Sequence, residues 1–185
     1  MGSTKVRGRS AVGIGAVVEG RGMYLGPWEA APGHPVHAYV EDDFLRDQAG
    51  KALTLSFNEA VIELARRNQA WAAGNGTEAA LREEIAKGNS DFEGKSVLPP
   101  NALLEDGIYA GLNAGSLPRV AEALQLAVHE RKPDQLWALS STQHPQSKQL
   151  VRMFRLRGGI SARCYVDNYR TSILPVRMYR TPAVT

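Results

Sequence analysis

The last 50 residues constrain the fold most. Within them, 136–140, 150–157, 160–165 and 173–179 read as strands, rich in apolar and β-branched residues and broken by turn formers. Gly158-Gly159, between two of them, signals a two-residue hairpin. In Val151-Arg152-Met153-Phe154-Arg155 and Leu174-Pro175-Val176-Arg177-Met178, apolar residues alternate imperfectly with arginine. Strand side chains point to opposite faces with period two, so the expectation is an antiparallel sheet with one buried and one basic face. Charge follows this division. From Lys148 to Arg180 eight basic residues (Lys148, Arg152, Arg155, Arg157, Arg163, Arg170, Arg177, Arg180) stand against one acid, Asp167, a balance of +7. The whole chain carries +3, so the remainder carries −4.

Upstream the pattern turns helical. Ser56 and Glu59 form a capping box, and Phe57, Ala60, Val61, Leu64 and Ala65 recur at helical spacing, which predicts a helix over 57–71 with Arg66 and Arg67 near its end. A second helix is expected over 78–87, capped by Thr77 and closed by Gly88. A short helix is expected at 101–104, interrupted near Gly107. A third full helix is expected from Leu117 to about Glu130, capped by Ser116, with Val120, Leu124 and Val128 as its buried stripe. Residues 11–28 suggest one or two short strands around a turn at Gly20–Gly22, and 29–53 a loop region with one strand at 36–40. With 18 glycines and 10 prolines the pattern favours a loop-rich α+β or β fold over a bundle. We expect a basic, flexible N-terminal arm at 1–10 and a single domain over 11–185.

At 185 residues with 43% hydrophobic content, the chain can bury a core without staples. Its one cysteine, Cys164, excludes an internal disulfide and any two-thiol chemistry within one chain; in a strand-like stretch it reads as a buried thiol. No apolar run approaches a membrane span, and the N-terminus lacks the apolar core of a secretion signal.

Catalytic patterns are thin. His34 and His37 stand at i, i+3 in a Pro/Gly loop near Glu41 and Asp42, so a metal site is conceivable; solvated loop histidines are the simpler reading. Asp42-Asp43 and Glu83-Glu84 are the acid pairs, but neighbouring acids on a helix point in different directions. No glycine-rich loop has a phosphate-cradling pattern. The basic sheet with Tyr165, Tyr169 and Tyr179 admits three readings: a nucleic-acid surface, a solubilising face, or a surface for an acidic glycan or protein.

Several short motifs, in order, resemble one family. Trp137-Ala138-Leu139-Ser140-Ser141-Thr142-Gln143 resembles the WSST(E/Q) strand of the C-terminal domain of bacterial collagen-like adhesins, whose fold is related to C-type lectins. The stretch from Val17 to Glu29 resembles the N-terminal part of its phage and prophage members. Phe57-Asn58-Glu59-Ala60-Val61 matches its first helix, and Val97-Leu98-Pro99-Pro100 stands where members carry an aromatic or aliphatic residue before Leu-Pro-Thr. Val151-Arg152-Met153-Phe154 and Leu174-Pro175-Val176-Arg177 resemble its later strands, although Leu156-Arg157-Gly158-Gly159 replaces an acidic turn and Leu174 an arginine.

The resemblance implies a C-type-lectin-like α+β fold, two or three helices packed on a small twisted antiparallel sheet. It implies that Trp137 and Ser140–Thr142 are scaffold, and that loops 143–149 and 167–172 form a variable binding surface. Its candidate residues are Gln143, His144, Gln146, Arg163, Tyr165, Asp167, Asn168 and Tyr169. The calcium-binding tripeptides of sugar-binding C-type lectins are missing, and one cysteine argues against the oxidase chemistry of related folds. The expectation is a non-enzymatic binding or structural module without cofactor or metal: a phage virion protein on capsid or tail, in the virion or in the bacterial cytoplasm before assembly. Its partners would be other virion subunits or a cell-surface glycan or protein, in a homo-oligomer; the alternative is nucleic-acid binding through the basic sheet.

Overall fold

A computed structural model describes residues 12–68 and 76–184. The expected arm at 1–10 and the last part of the first expected helix lie outside these residues. The fold is mixed α+β, with two sheets and four α-helices among the described residues. This is more than the two or three helices on one small sheet expected.

Strands β1 (Val17–Val18), β2 (Gly22–Ala31) and β3 (His34–Val40) form a meander, closed by β9 (Val176–Tyr179) in the order β1-β2-β3-β9. His34 and His37 therefore lie on a strand rather than in a loop. The second sheet has the order β4-β8-β5-β6-β7: β4 (Thr54–Leu55), β8 (Thr171–Ser172), β5 (Trp137–His144), β6 (Ser147–Arg155) and β7 (Ile160–Tyr165). Its pairs are antiparallel except β5–β8, which are parallel. The expected single C-terminal sheet is corrected: 173–179 leaves its neighbours and pairs with β3, setting Ala38 opposite Met178.

α1 (Phe57–Arg67) has its capping box complete, with the Ser56 amide donating to Glu59 at 2.9 Å. Phe57, Ala60, Leu64 and Ala65 face Leu139, Val151, Met153 and Cys164 of the second sheet. α2 (Glu78–Ala86), a π-helical turn (Leu103–Ile108) running into α3 (Tyr109–Asn113), and α4 (Pro118–His129) bury Leu81, Ile85, Leu104, Ile108, Val120 and Leu124 with residues of both sheets. Burying one such side chain contributes roughly 1.5–3 kcal/mol.

Two helix expectations change for identifiable reasons. Gly107 does not interrupt its helix; it lets β2 approach, since a Cβ there would stand 3.2 Å from Leu25 Cδ2. α4 begins at Pro118 after Leu117, without a Ser116 cap; the carboxylate of Asp42 instead accepts from the amides of Arg119 and Val120 at 3.0 and 3.1 Å. Ala127 completes the buried stripe in place of Val128, which is 40% exposed.

Candidate functional site

The β5–β6–β7 face carries the convergent chemistry. Arg155 pairs with Ile160, so the β6–β7 loop has four residues, not two. That register sets Arg152 directly opposite Arg163, Phe154 opposite Ser161 and Leu150 opposite Tyr165 on one face. Val151–Cys164 and Met153–Ala162 take the other face and pack on α1.

β5 is tied to its surroundings by the Ser141 backbone and the Thr142 hydroxyl. Leu139 opposes Met153 while Gln143 opposes Val151, so β5 bulges between them. Within the bulge the Ser141 amide donates to the Pro99 carbonyl at 2.9 Å, and Ser140 Oγ accepts from the Thr142 amide at 3.1 Å. Thr142 Oγ1 accepts from the Asn101 amide at 2.9 Å and donates to Glu78. Ser140 and Ser141 are buried, as befits scaffold.

At the exposed end, Arg163 Nη1 lies 3.0 Å from His144 Nε2; a guanidinium only donates, so the imidazole nitrogen accepts. His144, Arg152, Ser161, Ala162 and Arg163 line a hollow of about 350 Å3. Ser161 Oγ donates to Glu105, which also accepts from Asn101 Nδ2 at 2.7 Å. Among the described residues neither Arg152 nor Arg163 meets a carboxylate. Like charges directly across a strand pair disfavour the fold by about 0.2–1 kcal/mol.

Three other C-terminal arginines are engaged. Arg170 donates to Glu59 at 2.9 Å, and Arg177 pairs with Glu41. Arg180 donates to the carbonyls of Ile85 and Asn89 and lies over the Phe92 ring. The expected basic face thus loses Arg170, Arg177 and Arg180 to the fold and keeps the Arg152–Arg163 pair, with Lys148 and Arg157 exposed nearer the turns and Arg155 half-buried with its Nε unpartnered among the described residues.

The eight candidate residues divide. His144, Arg163 and Tyr165 belong to the β5–β7 face, and Gln146 is exposed at the hairpin tip. Gln143 turns back to the Lys148 carbonyl at 3.2 Å. Asp167 accepts from Asn58 at the start of α1, and Tyr169 packs on the α1 side, where burial and then Asp134 push its phenol up. Asn168 is exposed between them. The Val166 amide donates to the Gln149 carbonyl at 3.0 Å, so the end of the first expected loop lies beside the start of the second. Arg152 and Ser161 were missed. A two-residue loop pairs Phe154 with Arg163, whereas the four-residue loop brings Arg152 there.

The remaining groups have separate partners. Tyr24 Oη is 2.7 Å from His37 Nδ1, Asp42 caps α4, and Asp43 binds Arg46 at 2.8 Å. Burial, then the charge of Arg21, lowers the His37 pKa. Glu84 is buried and pairs with Lys87, while Glu83 is exposed. Among the described residues no three His, Cys, Asp or Glu gather as a metal-ligand set. Cys164 is buried, which pushes its thiol up to about 11. In a larger hollow of about 540 Å3 beside β9, Asn68 and Ser96 exchange hydrogen bonds and Arg177 faces Glu41. No helix among the described residues is long and apolar enough to cross a membrane.

The chain matches no protein-family model, no curated protein and no solved structure.

Proposed function

We propose that the chain is a non-enzymatic binding and structural module of C-type-lectin-like fold, related to the C-terminal domain of bacterial collagen-like adhesins. As a phage virion protein of capsid or tail, it presents the β5–β6 hairpin and the β7 face to a receptor, a glycan or a neighbouring subunit. One observation carries the binding part: Arg152 and Arg163 stand opposite each other on an exposed face without a carboxylate, beside hydroxyls already engaged as scaffold.

Two features support the lectin-like reading. The last strand pairs with the N-terminal hairpin, holding the two ends of the described chain in one sheet. The Trp137–Thr142 strand is interior to the second sheet, as scaffold would be. The virion part is supported by the likeness of residues 17–29, which form β1 and most of β2, to phage-associated members. A single thiol also suits assembly in a reducing cytosol. Capsid or tail genes are expected beside its gene; a neighbourhood of metabolic genes alone would sink the virion assignment.

Nucleic-acid binding has less support, because Arg170, Arg177 and Arg180 already serve the fold. The Arg152–Arg163 pair alone would neutralise about two phosphates, giving a slope of log affinity on log salt near −2; engagement of Lys148, Arg155 and Arg157 as well would steepen it. A much steeper slope on duplex DNA would favour that alternative.

A further inference from the structure

We infer that the hollow between β5, β6 and β7 receives one compact oxyanion, the carboxylate or sulfate group of an acidic saccharide, held by Arg152 and Arg163. This assignment rests on the binding-module reading above and names the ligand class of that surface.

The strand register supplies the first argument. It sets Arg152 and Arg163 opposite each other, both lining one hollow, and no acid among the described residues pairs with either. A bound oxyanion removes that repulsion, and guanidinium forks match carboxylate and sulfate oxygens in bidentate geometry. His144 holds the Arg163 guanidinium at 3.0 Å, so less side-chain freedom is lost when the anion arrives.

Size and surroundings narrow the ligand. At about 350 Å3 the hollow is at the small end of ligand sites, room for one sugar ring rather than a chain. Arg170, Arg177 and Arg180, which could have extended it into a polyanion track, are bound to Glu59, Glu41 and main-chain carbonyls, leaving Lys148 and Arg157 exposed nearer the turns. Glu105, reached through Ser161 on the same face, repels a multiply charged ligand yet accepts hydrogen bonds from sugar hydroxyls. Tyr165, two residues beyond Arg163 and 59% exposed, offers a ring for the apolar side of a sugar.

The test is a titration of the full chain with sodium glucuronate, glucose 6-sulfate, inorganic sulfate and neutral glucose, read on the arginine Nε–H resonances. Both acidic sugars and sulfate are expected to move the Arg152 and Arg163 signals saturably, and glucose to leave them still. Arg152→Gln and Arg163→Gln should each weaken glucuronate about tenfold or more without lowering the melting temperature, because each removes a like-charge contact. The inference is overturned if glucuronate affinity survives both substitutions, if glucose binds as well, or if neither acidic sugar saturates at millimolar concentration. Duplex DNA that binds this face with a salt slope far steeper than −2 overturns it in favour of a polyanion. A glycan array that stays empty while sulfate and glucuronate still move these signals refutes the lectin-like reading and leaves the anion site standing.

Discussion

Asp42 ties β3 to the start of a helix 77 residues further along the chain, accepting from the amides of Arg119 and Val120. Those amides are among the four at a helix start with no partner inside the helix. Asp42→Ala is therefore expected to cost about 1–2 kcal/mol in urea unfolding, and Asp42→Asn less. Nothing near Asp42 in sequence announces this, because its partners are distant; locally it is only one of two adjacent acids. Cys164 shows the opposite case. A lone thiol in a strand-like stretch is legible as buried, and it is. Its thiol, raised from 9.0 to about 11 by burial, keeps its proton in the folded state where the unfolded chain loses it. Stability should therefore hold below pH 9 and fall as pH climbs from 9 to 11, by up to about 1.4 kcal/mol per unit. Cys164→Ala should flatten that decline in a pH series of melting curves.

At the scale of elements, local signals served well where the structure is local. The capping box of α1, the Thr77 cap of α2 and the strand at 160–165 all appear as read. Register was less legible, because loop length decides it and Gly158-Gly159 suits more than one hairpin loop. Loops of two and of four residues put every side chain on the same face, but only the four-residue loop sets Arg152 opposite Arg163. α1 also carries a charge device. Arg66, and then Arg67, hold Glu63 down to about 2 against the opposing effect of its partial burial. A lowered carboxyl contributes stability above about pH 4.5 that fades as pH falls towards 2. Because Arg66 is largely exposed, the contribution is under about 1 kcal/mol. Glu63→Gln should remove that part of the acid sensitivity in melting curves between pH 5 and 2.5. β2 begins at a harder constraint: Gly22 has φ +97°, and a Cβ there would fall 2.2 Å from the Val40 carbonyl oxygen. Gly22→Ala is expected to destabilise by about 3 kcal/mol or more, measured as a lowered urea midpoint.

Across the whole molecule, the α+β class was legible and the division into two sheets was not. That division depends on β9 leaving its sequence neighbours for β3, a non-local pairing that no period in the sequence encodes. The +7 of the C-terminal segment was read as one basic face. Three of its arginines instead fasten the sheets to α1, to the β3 end and to α2, while Arg152 and Arg163 stand paired across β6 and β7, with Lys148, Arg155 and Arg157 on or beside β6. The proposed binding module uses that place, backed by β5, where Thr142 Oγ1 bonds the Asn101 amide and Glu78 and the Ser141 amide bonds the Pro99 carbonyl. The most direct measurement of that claim is a glycan array probed with the wild-type chain and with Arg163→Glu. The account predicts that wild type retains a subset of acidic glycans and that the charge-reversed variant, with its melting temperature unchanged, retains none of them. Equal binding by the two proteins, or retention of neutral glycans alone, would contradict it.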